Sequence, residues 1–160
     1  MHKTVAVLAF SRQGIQTGEK IAVTVEASGS RTEKCAPARL ASEGWESFFA
    51  LAEEMEKLIL HADAFVFVGA AGIAVRGIAP YVKSKLSDPA VVAVDECGRF
   101  VIPLLSGHAG GANELARRLG EALSAIPVIT TATDINDVFS VDTFARQEHL
   151  AIVEWLEGIV

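Results

Sequence analysis

Short apolar runs alternate with amphipathic stretches along this sequence. Runs that are rich in β-branched and aromatic residues are typical of strands buried in a sheet, and they occur at 4–10, 64–68, 91–95, 100–105 and 127–131. Stretches with apolar residues at three- and four-residue spacing predict helices, and they begin near Gly14, Trp45, Gly72, Asn113 and Phe139. This alternation predicts an α/β fold with an open, mainly parallel sheet and helices on both faces.

Some segments predict more specific structure. The two apolar runs at 91–95 and 100–105 flank a polar turn that contains Gly98, which predicts one hairpin. Residues 28–31 are expected to break the first helix, and residues 32–36 are expected to form a short strand. An apolar stripe that includes Phe48 and Phe49 predicts a helix over 45–60. Pro80 ends or kinks the helix that follows Gly72, or stands in the first turn of a second helix.

Length and composition narrow the class of protein. The 160 residues fit a single α/β domain over 1–160. The net charge of −6, without a basic run, argues against nucleic-acid binding and against binding to a membrane surface. Cys35 and Cys97 stand far apart without metal-ligand spacing, so we expect neither a disulfide framework nor a protein metal site. We expect the protein in a reducing cytoplasm. The apolar run at 4–10 is too short for a signal or membrane segment.

Three loops rich in small residues follow predicted strands, at 69–72, 106–111 and 131–134. Ligands of open α/β sheets collect at the carboxyl ends of the strands, so we expect all three loops at one binding site. Glycine-rich backbone at a helix start suits an anionic ligand. The candidate binding residues in and beside these loops are Gly69, Gly72, Ser106, Gly107, Gly110, Gly111, Asn113, Thr131 and Asp134.

His108 and Asp95 are the candidates for proton transfer. His108 lies between glycines, where it could act as an acid or base near neutral pH, or could simply order its own loop. Asp95 and Glu96 end an apolar strand; they could form a proton-transfer pair, but alternation along a strand directs the two side chains apart, which favours a solvated turn. Structural capping is the favoured role of Asn113 at the start of its helix.

Arg76 and Arg99 are the candidate cationic ligands. Arg76 lies in an otherwise apolar stretch, where a fixed charge needs a partner such as a ligand carboxylate or Asp95. A structural ion pair is the alternative. Neither glycine loop has the spacing of a Walker A or dinucleotide-binding motif, so nucleotide binding has weak support. A small sugar-phosphate or nucleotide enzyme on the same architecture would bind phosphate at the Gly107 loop.

Three ordered segments carry a family resemblance: GAAGIAVRGIAP at 69–80, DPAVVAVDE at 88–96 and IPLLSGHAGGANELA at 102–116. With these segments the chain resembles the CbiG family, the cobalt-precorrin-5A hydrolases of anaerobic cobalamin biosynthesis. The similarity extends through TTATD at 130–134 and, more loosely, to the amino terminus. It implies an enzyme that opens the δ-lactone of a cobalt-bound tetrapyrrole and releases acetaldehyde.

The resemblance also implies a substrate and partners. The substrate is an anionic cobalt-tetrapyrrole that carries its own metal, so no further cofactor is expected. Arg76, Arg99 and the loop at 106–111 would bind its carboxylate arms, and His108 would activate water or protonate the leaving oxygen. Typical members continue into a carboxy-terminal domain beyond the length of this sequence; that domain is expected on a separate chain, or this chain is a piece of a longer or divergent protein. The alternative is a non-catalytic tetrapyrrole-binding or carrier module, and a homo-oligomer is compatible with either.

Overall fold

A computed structural model describes residues 3–40, 42–84 and 87–131 of the protein. Seven strands and four α-helices occupy this part of the chain. In chain order the elements are β1 (Thr4–Ala9), α1 (Arg12–Ala27), β2 (Arg31–Pro37), β3 (Glu46–Phe48), α2 (Leu51–Leu58), β4 (Ala64–Val68), α3 (Ala71–Ile78), β5 (Ala90–Val94), β6 (Phe100–Leu105), α4 (Ala112–Leu123) and β7 (Ile126–Pro127).

The seven strands form one sheet in the order β3-β2-β1-β4-β5-β6-β7. All pairs from β3 to β5 are parallel, so the predicted open, mainly parallel sheet is confirmed. The chain builds outward from β1 to β2 and β3, and then returns to place β4 and β5 on the other side of β1. This reversal makes the gap between β1 and β4 the topological switch point, where α/β folds bind their ligands at the carboxyl ends of the strands.

β6 is antiparallel to β5, which confirms the predicted hairpin. Leu105 pairs with Val91, and Val101 pairs with Val94, so the end of β6 lies beside the start of β5. Gly98 has a φ of 67°, the left-handed conformation that the turn requires. β7 runs parallel to β6 and is only two residues long, shorter than the strand predicted over 127–131.

Alternating residues of the central strands supply two hydrophobic cores, one on each face of the sheet. Val66 and Val68 pack on the face that α1 and α4 cover, whereas Phe65 and Phe67 pack on the face that α2 and α3 cover. β4 and β5 are buried along their whole length, as the continuous apolar runs predict. Burial of a side chain of this size stabilises the fold by about 2–3 kcal/mol.

The helix predicted over 45–60 is wrong in its first half. Residues Glu46–Phe48 form β3 beside β2, and the helix begins only at Leu51. Trp45 packs on α1 at Gly18, where an added Cβ would lie 2.6 Å from the indole ring, and its Nε1 donates to Glu19. Phe49, expected in the core, is 92% exposed. Tertiary pairing with β2 therefore overrides the helical spacing.

The structure also bears on the predicted helix boundaries. The first helix ends at Ala27, as predicted, and Pro80 stands in a short 3-10 helix, Ala79–Tyr81, directly after α3. The predicted helix from Phe139 lies outside the described residues. In the part of the chain that the structure describes, no helix has the length and apolar character needed to cross a membrane.

The chain divides into two compact units, Met1–Ile129 and Thr130–Val160. The whole sheet and its four helices belong to the first unit. Nearly all of the second unit lies outside the described residues, so a single domain over 1–160 stays a prediction.

Candidate functional site

The switch point brings two loops together at the carboxyl edge of the sheet. Ser11 follows β1 and is the N-cap of α1, with its Oγ accepting from the Gly14 N–H at 2.9 Å. Gly69 and Ala70 follow β4 and lead into α3. The Gly69 N–H donates to the Val94 carbonyl at 2.8 Å, which fixes this loop to the end of β5. The carboxyl edge of β1, β4 and β5 is therefore a connected surface.

The β5–β6 turn is tied to the first helix across this edge. The Ser11 hydroxyl donates to Glu96 Oε2 at 2.5 Å, and the Thr17 hydroxyl donates to the Glu96 carbonyl at 2.7 Å. Ser11 thus joins the start of α1 to the turn at 95–99. A charge-assisted hydrogen bond of this kind fixes the turn relative to the start of α1.

Asp95 holds the turn in shape. Its Oδ1 accepts from the N–H groups of Arg99 and Phe100, each at 2.7 Å, and its Oδ2 accepts from the Cys97 N–H at 3.1 Å. A carboxylate that already accepts three backbone bonds serves as a structural cap. This geometry favours the solvated-turn interpretation of Asp95 and Glu96, and the catalytic role of Asp95 stays a prediction.

The two predicted arginines lie at different distances from this edge. Arg99 is exposed in the β5–β6 turn, directly at the edge. Arg76 is exposed on α3, five residues beyond the start of the helix, or about 8 Å along its axis. Within the described residues neither side chain forms an ion pair, and the proposed pairing of Arg76 with Asp95 is not formed. Both guanidinium groups can therefore take an anionic ligand.

Gly69 and Gly72 differ in their surroundings. A Cβ at Gly69 would lie 3.3 Å from the Phe10 ring, whereas a Cβ at Gly72 would meet nothing within 4 Å. Gly72 is exposed on the first turn of α3. The fold itself does not require a glycine there, so open space above Gly72 is available to a ligand.

The loop at 106–111 lies at the opposite edge, and here the expected common site is wrong. Because the hairpin reverses the chain, β6 ends where β5 begins. The Ser106 hydroxyl donates to the Asp88 carbonyl at 2.9 Å, directly before β5. The five residues of β5 separate the two edges by about 16 Å, so Asp95 and His108 cannot act on the same bond of a ligand at either edge.

The loop at 106–111 is closely packed. Ser106 adopts a left-handed φ of 56°, and Gly111, the N-cap of α4, has a φ of 82°. A Cβ at Gly110 would lie 2.4 Å from the Ser106 Cβ, and a Cβ at Gly107 would lie 2.8 Å from the Asn113 Oδ1. The glycines of this loop thus serve contacts within the loop.

His108 and Asn113 have distinct places beside that loop. His108 is half-buried, and its carbonyl accepts from the Gly111 N–H at 3.1 Å. Asn113 is buried on the first turn of α4, and its side chain lies against Gly107. The structural interpretation of Asn113 is favoured by this burial, although the N-cap residue is Gly111.

The structure does not test the third predicted loop, at 131–134. Thr131 belongs to the second unit, and Asp134 lies outside the described residues. Their role in substrate binding stays a prediction.

Among the residues that the structure describes, one cluster could offer ligand atoms to a metal, and it contains none of the predicted site residues. Cys35, Glu46 and Glu54 bring their ligand atoms within 4.8 Å of one another near β2 and α2. Glu54 is already engaged, because Cys35 Sγ donates to its Oε1 at 3.6 Å and Lys57 Nζ lies 3.0 Å from its Oε2. Burial, together with the Glu54 carboxylate, raises the pKa of the Cys35 thiol. A protonated thiol is a poor metal ligand.

Sequence reasoning missed three residues at the carboxyl edge: Ser11, Arg12 and Arg39. The N-cap pattern, a serine directly before an amphipathic helix, could have identified Ser11. Arg39 follows β2 and is brought beside α1 by the pairing of β2 with β1. Only the strand order reveals that placement.

Comparisons with known proteins identify relatives of this chain. A family profile described as Cobalamin synthesis G N-terminal matches residues 53–134. A cobalt-precorrin-5A hydrolase of Salmonella typhimurium is 42% identical over 146 residues, which are 91% of this chain and 40% of that protein. A cobalt-precorrin-5A hydrolase of Priestia megaterium is 54% identical over 76 residues, or 48% of this chain and 20% of that protein.

A solved structure is also similar. The cobalamin biosynthesis protein G homolog of Sulfolobus solfataricus matches with a TM-score of 0.64 and 30% identity, covering 89% of this chain and 39% of that one. The chain therefore spans well under half the length of the relatives that it matches.

Proposed function

Because this chain belongs to the cobalamin synthesis G N-terminal family, we propose that it forms the substrate-binding, amino-terminal part of a cobalt-precorrin-5A hydrolase. The reaction is the opening of the substrate's lactone and the release of acetaldehyde. The observation that carries the proposal is the 42% identity with the Salmonella typhimurium hydrolase across 91% of the chain. A further, carboxy-terminal CbiG domain completes the active site.

The substrate is a cobalt-bound tetrapyrrole whose carboxylate arms make it a polyanion. The carboxyl edge suits this chemistry, since Arg99 is exposed in the β5–β6 turn there and the space above Gly72 is open. Arg76, exposed on the last turn of α3, is proposed to bind a further arm. Arginine binds a carboxylate with two parallel hydrogen bonds, which fixes its orientation. Cobalt enters and leaves with the substrate, so the proposal requires no resident metal.

The positions of His108 and Asp95 favour a binding part over a complete catalytic centre. The oxygens of Asp95 accept three backbone N–H groups, and His108 lies at the other edge of the sheet. Water attack and carbon–carbon cleavage need a positioned acid and base near the same bond. We therefore propose that the carboxy-terminal domain supplies at least one of these groups.

The loop at 106–111 is proposed as a second surface of the same enzyme. Ser106, Gly107, Gly110 and Gly111 present a constrained backbone beside His108, and strained loops often occur at functional sites. On this proposal the loop acts on substrate only after the carboxy-terminal domain has bound.

A carrier module of the same pathway is the second candidate. The engaged carboxylate of Asp95 and the distance to His108 favour it, because they leave the carboxyl edge suited to binding. Both candidates operate in the cytoplasm, consistent with the two free cysteines, Cys35 and Cys97.

Acetaldehyde release from cobalt-precorrin-5A tests the proposal. The chain is assayed alone, then with the carboxy-terminal domain of a relative added in trans; that domain alone is the control. We expect release only from the pair. Release by the chain alone would overturn the binding-part proposal, and binding without release in every mixture would favour the carrier.

His108→Ala and Asp95→Asn then distinguish the two edges. A group that transfers a proton lowers kcat by about 100-fold or more when it is removed, with substrate binding retained. If neither variant changes kcat in the complete enzyme, both residues are excluded from the chemistry.

A further inference from the structure

A cavity of about 390 Å³ opens between the start of α1 and the segment that follows β2. It lies at the carboxyl edge of the sheet, because β1 and β2 run parallel and both end there. Arg12, the first residue of α1, directly follows the Ser11 hydroxyl that holds the β5–β6 turn. The residues that line the cavity are Arg12, Ile15, Gln16, Arg39, Leu40 and Ser42.

Two arginines, Arg12 and Arg39, line this cavity. Neither Arg12 nor Arg39 forms an ion pair or a side-chain hydrogen bond among the residues that the structure describes. Acidic residues are nevertheless in excess, with 20 Asp and Glu against 14 Lys and Arg. The nearby Glu19 is engaged elsewhere, because it binds Lys34 at 3.0 Å and accepts from Trp45. Two unpaired guanidinium groups at one cavity favour an anionic ligand.

The remaining lining residues indicate which anion fits. Gln16 and Ser42 can donate further hydrogen bonds, whereas Ile15 and Leu40 offer aliphatic surface. A short hydrocarbon arm that ends in a carboxylate matches this combination. The arm packs on the two aliphatic side chains, and its carboxylate accepts from the guanidinium groups. A bare inorganic phosphate would leave the aliphatic surface unused.

We propose that this cavity binds a carboxylate-bearing arm of the tetrapyrrole substrate through Arg12 and Arg39. The inference rests on the proposed function and adds a site to it, next to the switch point. The macrocycle then lies over the carboxyl edge, with one arm held beside β1 and β2 and others within reach of Arg99.

A binding titration of the full chain tests this site. The probe is uroporphyrin, an octacarboxylate tetrapyrrole, titrated at low salt and followed by its absorbance. We expect Arg12→Gln and Arg39→Gln each to weaken binding about tenfold. Both side chains are exposed, so the fold is expected to persist, and circular dichroism checks it. Arg31→Gln is the matched control, because it removes the same charge at the opposite end of β2 and is expected to change binding less than about twofold.

Three outcomes overturn the proposal: no binding of uroporphyrin by the wild-type chain, equal binding by its octamethyl ester, or equal losses in all three variants. Displacement by millimolar inorganic phosphate in preference to propionate would identify a phosphate site and also overturn it. Failure of the proposed function is distinguishable. If the arginine variants weaken uroporphyrin binding but no mixture releases acetaldehyde, the cavity stands and the hydrolase assignment fails. If acetaldehyde is released at an unchanged KM by both variants, the hydrolase stands and the cavity fails.

Discussion

The two glycine-rich loops of this protein are similar in sequence, but their glycines have different surroundings. Each follows a strand and leads into a helix. The loop at 69–72 lies at the carboxyl edge of the sheet, and a Cβ at Gly72 would enter open space. The loop at 106–111 lies at the other edge, and a Cβ at Gly110 would overlap Ser106.

This comparison distinguishes two kinds of glycine: those that packing within the chain requires, and those beside which the chain leaves open space. Gly110 and Gly111 are required by contacts and by backbone conformation within this chain. Gly72 has neither requirement, so any need for a glycine there comes from a ligand or a partner. Paired substitutions at the two loops therefore separate stability from binding.

The largest effect is expected from Gly110→Ala. Its Cβ would lie 2.4 Å from the Ser106 Cβ and 2.8 Å from the Ser106 carbonyl oxygen, so the loop must shift. We expect the free energy of unfolding in urea to fall by about 3 kcal/mol. A loss below about 0.5 kcal/mol would show that the loop is not closely packed.

Asp95→Ala is expected to destabilise the protein at the carboxyl edge. The substitution removes the acceptor of three backbone N–H groups in the β5–β6 turn. Water replaces part of this bonding at an exposed turn, so the expected loss is about 2 kcal/mol. Urea unfolding measures it, and Asp95→Asn, which keeps one acceptor oxygen, is expected to lose less. Equal losses for both variants would contradict the capping role.

A bulky thiol label can be placed at either edge. Cys97 is exposed in the turn, whereas Cys35 is buried and its raised pKa keeps it protonated near neutral pH. A fluorescent maleimide should therefore modify only Cys97 and weaken uroporphyrin binding about tenfold by blocking the carboxyl edge. Mass spectrometry counts the labels.

The comparison for that label is the double variant Cys97→Ser, His108→Cys, which carries it at the other edge. Its binding is expected to be unchanged. The opposite pattern, with the label at position 108 blocking the ligand, would move the binding site to the loop at 106–111.

The smallest effect is expected from Gly72→Ala. Alanine is the better helix former, and the structure offers space for its methyl group, so stability should rise by about 0.5 kcal/mol. A weaker affinity for uroporphyrin in this more stable variant would show that the ligand approaches Gly72. Unchanged affinity would remove Gly72 from the site.

Most of the architecture could be predicted from local patterns. The strand Ala64–Val68 was predicted to the residue, because a continuous apolar run is characteristic of a strand buried on both faces. The Trp45 region was not: its aromatic residues have helical spacing, but Trp45 packs against α1 and Phe48 pairs with Pro37 of β2. That preference depends on neighbours distant in sequence, which a local pattern does not contain.

The site was harder to predict than the fold. The hairpin was predicted, yet the three loops were expected together; because β6 is antiparallel to β5, the loop at 106–111 lies at the opposite edge. Arg12 and Arg39 are 27 positions apart in sequence and meet only through the pairing of β1 with β2. Residue type alone could not distinguish them from other surface arginines.

The outermost strands of the described sheet limit how this protein can associate with another chain. β3 is three residues long and carries Glu46, and β7 is two residues long and ends in Pro127. Short, charged or proline-containing borders offer an incoming chain few backbone groups for strand addition. The highly apolar central strands are thereby shielded from edge-to-edge aggregation. We therefore expect another domain or a second copy to associate through side-chain contacts, and not by adding a strand to the sheet.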